Sequence, residues 1–222
     1  MRITHLDGSA IAVSAEHTPK ARLVIERNGQ RDTYQFTDTA RDIFPLKYGM
    51  GTYTVKLCEP KYKNVYTVVD TMGVPAITPS WDTCPNQYVY YTEKSGCAQF
   101  ARTLAKPYDE QPESEIIDAI TDWIKSNIAY DYIREATIPK WGNVLPDIDR
   151  CFDQRRGICL DIAGMMVAML RSRYIASRLE IGKFGGKSHA WVRLADGTLF
   201  DPTRDMVAQT RGKNCYKLER FY

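Results

Sequence analysis

The chain has 222 residues, 44% of them hydrophobic and 26% charged, which is enough to bury one large core or two small ones. Its formal net charge of +3 is spread over short groups such as Lys61–Lys63, Arg155–Arg156 and Arg171–Arg173, which reads as solvated surface, so no nucleic-acid partner is expected. The opening "MRITHLDGSAIAVSAEH" has no apolar run of signal or membrane-spanning length. Read literally, it excludes a membrane partner and places the protein in the cytoplasm, or outside the cell if the chain is a trimmed mature form.

The first third reads as β-structure. "ARLVIERNGQRDTYQF" holds two strand-like runs around Asn28-Gly29, a dipeptide that accepts positive φ in a type I′ turn. "GTYTVKLCE" alternates Tyr53, Val55 and Leu57 with polar residues, and "NVYTVVDT" follows a turn expected over Pro60–Asn64. Short strands at this spacing predict a small antiparallel, Ig-like β-sandwich over residues 1–75. His5 and His17 are expected at its surface.

The Pro-punctuated "GVPAITPSWDTCP" is expected to separate this region from a second domain over 76–222. There "NQYVYYTEKSGCAQFARTLAK" predicts a helix interrupted near Ser95-Gly96. "PESEIIDAITDWIKSNIAYDY" predicts a stronger one, with Ile116, Ile117, Ile120, Trp123, Ile124 and Ile128 on one stripe and Ser114 or Asp109 as its cap.

The six cysteines, Cys58, Cys84, Cys97, Cys151, Cys159 and Cys215, form no C-x-x-C pair, and two of the three histidines lie near the start. No metal or other cofactor is expected. A site built from Cys151, Cys159 and His189 would have a cysteine spacing that fits no common zinc motif. Free thiols are expected, with a Cys84–Cys97 disulfide left open.

"RRGICLDIAGMMVAMLRSR" is apolar or small from Ile158 to Leu170 except at Asp161, so its helix must be enclosed on most sides. Arg171 and Arg173 fall in the last turn, where positive charge suits the helix dipole. Gly157 puts Cys159 at the helix start, where unpaired N–H groups and the dipole favour a thiolate. A buried structural cysteine would need none of this.

In "SHAWVRLADGTLFDPT" two strands flank Ala195-Asp196-Gly197. A two-residue Asp-Gly loop would pair Ala195 with Thr198 and send His189 and Asp201 to opposite faces. A three-residue loop with Gly197 in the left-handed region would pair Leu194 with Thr198 and put both side chains on one face as diagonal neighbours. The second register also gathers Val192, Leu194 and Phe200 on the other face, where a core would want them.

The ordered set "GICLDIAGMMVAMLRS", "SHAW" and "FDPT" resembles the core of the transglutaminase-like (papain-like) cysteine enzymes, over roughly residues 85–205. The resemblance implies an α+β fold, an N-terminal sandwich ahead of helices packed on an antiparallel sheet. It also implies a thiol acyl-transfer enzyme acting on a protein or peptide amide. Residue by residue it makes Cys159 the nucleophile, His189 the acid and base, and Asp201 the orienting carboxylate. The backbone N–H of Cys159 is one oxyanion donor; Gln154, Trp141 and Tyr130 are candidates for the second. Hydrolysis, as a cysteine peptidase or amidase, is preferred because it asks less of the pocket. Transamidation of protein glutamine and an inert binding scaffold are the alternatives.

Overall fold

Asn28 and Gly29 take φ values of 51° and 77°, the paired positive angles that a two-residue hairpin turn requires. They join β3 (Arg22–Arg27) to β4 (Gln30–Gln35). The computed structural model that shows this describes residues 1–6, 9–37, 39–138, 144–204 and 216–222. It divides into two units, Met1–Gln87 and Tyr88–Tyr222.

The first unit holds two antiparallel sheets. One contains β1 (Arg2–Leu6), β2 (Ala10–Ser14) and β5 (Ile43–Pro45), in that order. The other runs β4-β3-β6-β7, with β6 at Gly51–Tyr62 and β7 at Val65–Ala76. Alternation sends Leu23, Ile25, Tyr34, Tyr53 and Val55 inward, and the Tyr34 ring meets Phe44 of β5 at 5.0 Å. The turn expected over Pro60–Asn64 is tighter than that. Pro60 stays in β6 beside a register shift, and Lys63, at φ 47°, makes the turn. Likewise Gly73–Ala76 continue β7. Gln87 then bonds back to the strands, its N–H donating to the Ile43 carbonyl at 2.8 Å and its amide to Gln35 at 2.7 Å.

In the second unit the residues before Ser95 are not helical, and the first helix, α1 (Gly96–Ala105), starts at the expected interruption. α2 (Glu113–Asn127) is preceded by Pro112 and has no side-chain cap, so neither Ser114 nor Asp109 serves as one. Its apolar stripe faces inward as the 3.6-residue period requires, with Ile116, Ile117, Ile120 and Ile124 buried.

Next come β8 (Ala129–Tyr130), α3 (Tyr132–Thr137), α4 (Ile148–Gln154) and β9 (Arg156–Gly157). α5 (Cys159–Arg171) is buried at every position. It packs on the sheet β12-β11-β10-β13, formed by β10 (Ser177–Phe184), β11 (Lys187–Leu194), β12 (Leu199–Phe200) and β13 (Tyr216–Phe221).

Arg171 does more than answer the dipole of α5. Fully buried, it donates to the Ser177 carbonyl at 2.7 and 2.9 Å and to the Tyr222 carbonyl at 3.1 Å, tying helix to sheet. Together these units give the α+β class that the sequence predicts.

Candidate active site

The hairpin after β11 takes the three-residue form. Leu194 N–H donates to the Thr198 carbonyl at 2.9 Å, Gly197 sits at φ 90°, and Val192 pairs with Phe200. In that register His189 and Asp201 project from the same face. Their tips meet, with His189 Nε2 2.7 Å from Asp201 Oδ2.

Asp201 is held on both oxygens. Tyr216 donates its hydroxyl to Oδ2 at 2.9 Å, and Thr203 donates its N–H and hydroxyl to Oδ1 at 3.1 and 3.0 Å. Burial pushes the Asp201 carboxyl up, but the bonds and charge from His189, with Tyr216 and Thr203, outweigh it and leave the pKa below the ordinary value. The carboxylate is therefore ionised, so Nε2 carries the imidazole proton and Nδ1 is the basic nitrogen. Phe184, Trp191 and Tyr216 surround the ring at centroid distances of 5.8, 6.2 and 6.4 Å.

Cys159 opens α5 and is 1% exposed. The backbone N–H of Ala190, the residue after His189, favours its anionic form, and the Tyr130 hydroxyl lies 3.9 Å from the sulfur. The helix start was expected to favour a thiolate. Burial instead dominates and pushes the thiol up to about 12, with Asp201 and Glu135 adding repulsion and the Ala190 and Tyr130 donors only partly offsetting it. At rest the sulfur is a thiol.

The approach to the sulfur is fixed by a short parallel pair. β8 pairs with β9 so that Tyr130 lies opposite Gly157, two residues before Cys159. Gly157 has no room for a side chain, since a Cβ there would meet Cys151 Sγ at 2.7 Å and Asp161 Cβ at 3.0 Å. The buried Asp161 carboxylate accepts from the N–H of Ile158 at 3.2 Å and of Asp147 at 2.8 Å, and from Arg134 at 2.8 and 3.2 Å. It anchors the residue just ahead of the nucleophile candidate.

Of the three candidates for a second oxyanion donor, Tyr130 is the one placed at the sulfur. Gln154 is exposed at the end of α4, and the donors found at Cys159 are Tyr130 and Ala190. It drops out because the chain turns sharply after α4, with Arg155 at φ 54°, before β9 leads to the cysteine. Trp141 lies outside the described residues.

Tyr216, Glu135 and Glu180 were not anticipated. The fully buried Glu180 accepts from Trp191 Nε1 at 2.5 Å and from Arg193 and Arg178 at 2.8 and 3.0 Å, fixing the indole beside His189. Cys58, Cys84, Cys97, Cys151 and Cys159 are free thiols, so no Cys84–Cys97 bond is formed; Cys215 lies outside the described residues.

Residues 98–198 match the model of the Transglutaminase-like superfamily. This part of the chain is similar to a transglutaminase-like core. The match takes in Cys159 and His189 and stops short of Asp201.

Among solved structures, the chain is similar to a candidate cysteine protease from Cytophaga hutchinsonii, at 21% identity and a TM-score of 0.38 over 53% of this chain and 41% of that one. The periplasmic domain of TgpA from Pseudomonas aeruginosa is similar at 16% identity and a TM-score of 0.41, over 87% of this chain and 92% of that one. A candidate protease from Parabacteroides distasonis is similar at 15% identity and 0.36, over 82% and 42%. The chain thus spans less than half the length of the Cytophaga and Parabacteroides proteins. No curated protein matches it by sequence.

Proposed function

We propose that this protein is a thiol-dependent acyl-transfer enzyme that hydrolyses a peptide or other amide bond. The observation that carries the reading is the His189–Asp201 pair, closed at 2.7 Å on the strand whose next N–H, that of Ala190, acts on the charge of the Cys159 sulfur.

In this reading His189 Nδ1 takes the thiol proton as the sulfur adds to the amide carbonyl. The Cys159 N–H and the Tyr130 hydroxyl stabilise the oxyanion. Collapse breaks the C–N bond, the imidazolium gives its proton to the departing amine, and a thioester remains. His189 then takes a proton from water, hydroxide adds to the thioester, and the carboxylic acid leaves as the thiol is restored. Asp201 holds Nε2–H throughout and stabilises the imidazolium in each half-reaction.

The reading explains why a thiol with a pKa near 12 is no obstacle. Proton transfer and attack are coupled, so the thiolate need not accumulate. The test is a peptide-library screen comparing native protein with Cys159→Ala, scored for cleavage and for incorporation of a labelled primary amine. Cleavage that disappears with the sulfur is the expected result. Cleavage that survives in Cys159→Ala would remove the proposal, and stable amine incorporation would replace hydrolysis by transamidation.

A further inference from the structure

The Tyr130 hydroxyl has one proton and two neighbours that compete for it. Glu135 Oε1 lies at 3.0 Å, the distance of an ordinary hydrogen bond, whereas Cys159 Sγ lies at 3.9 Å. Glu135 sits on α3, which follows β8 directly, so both groups are set by one short stretch of chain. Its carboxylate is exposed, and among the described residues no cation pairs with it; the neighbouring Arg134 is committed to the buried Asp161. Tyr130, by contrast, is buried.

The phenol proton is therefore held mainly by Glu135 at rest, and the sulfur receives only the longer, weaker share of it. That arrangement is wrong for catalysis. A hydroxyl turned towards Glu135 donates fully neither to an oxyanion nor to a thiolate, so neither anion gains from it.

We infer that Glu135 is a positioning residue that withholds the Tyr130 proton, and that a substrate bearing a positive charge beside its reacting carbonyl releases it. An ammonium or guanidinium on the exposed carboxylate would take over the Glu135 acceptor and free the phenol to turn inward, in a charge-assisted exchange. The substrate class is thus an amide next to a lysine-, arginine- or amine-like cation. This rests on the acyl-transfer reading and deepens it.

Besides the proposed base His189, the groups that act on the charge of the sulfur include Tyr130 from β8, Glu135 from α3 and Asp201 beyond β12, together with the Ala190 N–H of β11. Of these described carboxylates, Glu135 is the exposed one that can meet a substrate charge, since Asp201 is saturated by His189, Tyr216 and Thr203. The repulsion that Glu135 exerts on a thiolate has the same sign as the loss of the Tyr130 donor, so both hold the resting site inactive.

Two labelling experiments on the whole chain test this, each read by mass spectrometry at the Cys159 peptide. The first compares a lysyl with a norleucyl chloromethyl ketone of otherwise identical sequence. The lysyl reagent should label native protein about five-fold faster, and Glu135→Gln should abolish the difference.

The second uses neutral iodoacetamide between pH 7 and 10. Glu135→Gln should raise the rate at pH 8 by about three-fold and shift the profile to lower pH, and the gain should shrink when Tyr130→Phe is also present. No lysyl preference, a preference that persists in Glu135→Gln, or an equal iodoacetamide gain in both backgrounds would overturn the inference while leaving the acyl-transfer reading intact. Absence of label on Cys159 from every reagent would overturn both.

Discussion

Four donors converge on the Asp201 carboxylate, and they are not equivalent. His189 donates the proton whose position defines the reactive tautomer, whereas Tyr216 only helps to hold the acceptor still. Tyr216 itself is pushed above the ordinary phenol value by burial first and then by the Asp201 charge, so its proton stays in place through neutral pH. Tyr216→Phe should therefore lower kcat by about ten-fold, the loss of one neutral donor. It should also raise the Asp201 pKa, because a bond to the ionised form is lost, and so bring the loss of stability on the acid side to higher pH, read by urea unfolding. Asp201→Asn removes the charge that stabilises the imidazolium and should cost about a thousand-fold or more. Equal losses in the two variants, measured on an amide verified against Cys159→Ala, would place Tyr216 in the chemistry and contradict the hierarchy.

Whether an element could be read from the sequence depended on whether one strand of it already fixed the other. The β11–β12 register followed from Ala195-Asp196-Gly197 and the apolar face of Val192 and Phe200, so His189 and Asp201 came together as expected. Glu180 obeys the same kind of rule. Gly185 and Gly186 turn the β10–β11 hairpin with φ of 57° and 84°, which places Glu180 opposite Trp191 and Gly182 opposite His189, a register that the Gly-Gly pair itself announces. Tyr130 could be nominated but not chosen, because the β8–β9 pair is two residues long and carries no periodicity. Tyr216 reaches Asp201 from the far edge strand, across residues 205–215, and nothing local announces it.

Gly182 shows what that edge strand costs to hold. A Cβ there would lie 2.1 Å from the Lys217 carbonyl oxygen and 2.9 Å from Trp191 Cη2. Gly182→Ala should push β13 away from β10, destabilise the fold by about 2 kcal/mol in urea, and lower kcat at least as far as Tyr216→Phe does. Gly185→Ala, strained by its positive φ but with open space around it, should cost about 1 kcal/mol and leave kcat alone. If both variants lose stability and only Gly182→Ala loses turnover, the strand carrying Tyr216 is what the site depends on.

The whole second unit is built to keep thiols neutral. Burial pushes Cys97 and Cys159 up to about 12 and raises Cys151 further, while Tyr130 and Tyr216 are raised by burial as well. A thiol whose folded pKa lies above its unfolded value of about 8.5 binds its proton more tightly in the native state. Its contribution to stability is complete below pH ~8.5 and is lost as the pH rises through about 12. Each such group adds a slope of about 1.4 kcal/mol per pH unit in that window. Three of them acting together would consume a typical domain stability of about 5–15 kcal/mol within a few units. The unit should therefore unfold cooperatively at alkaline pH while its acid side stays governed by Asp201 and Asp131, whose lowered values place their loss of stabilisation at the low end of the carboxylate range.

Cys97 separates this from general alkaline damage, because it lies on α1, outside the Cys159 site. Cys97→Ala removes packing and should be less stable at pH 7, yet its urea midpoint should fall less steeply between pH 9 and 11, by the slope of one proton. Parallel lines for the two proteins would mean that Cys97 titrates no differently in the folded and unfolded chain.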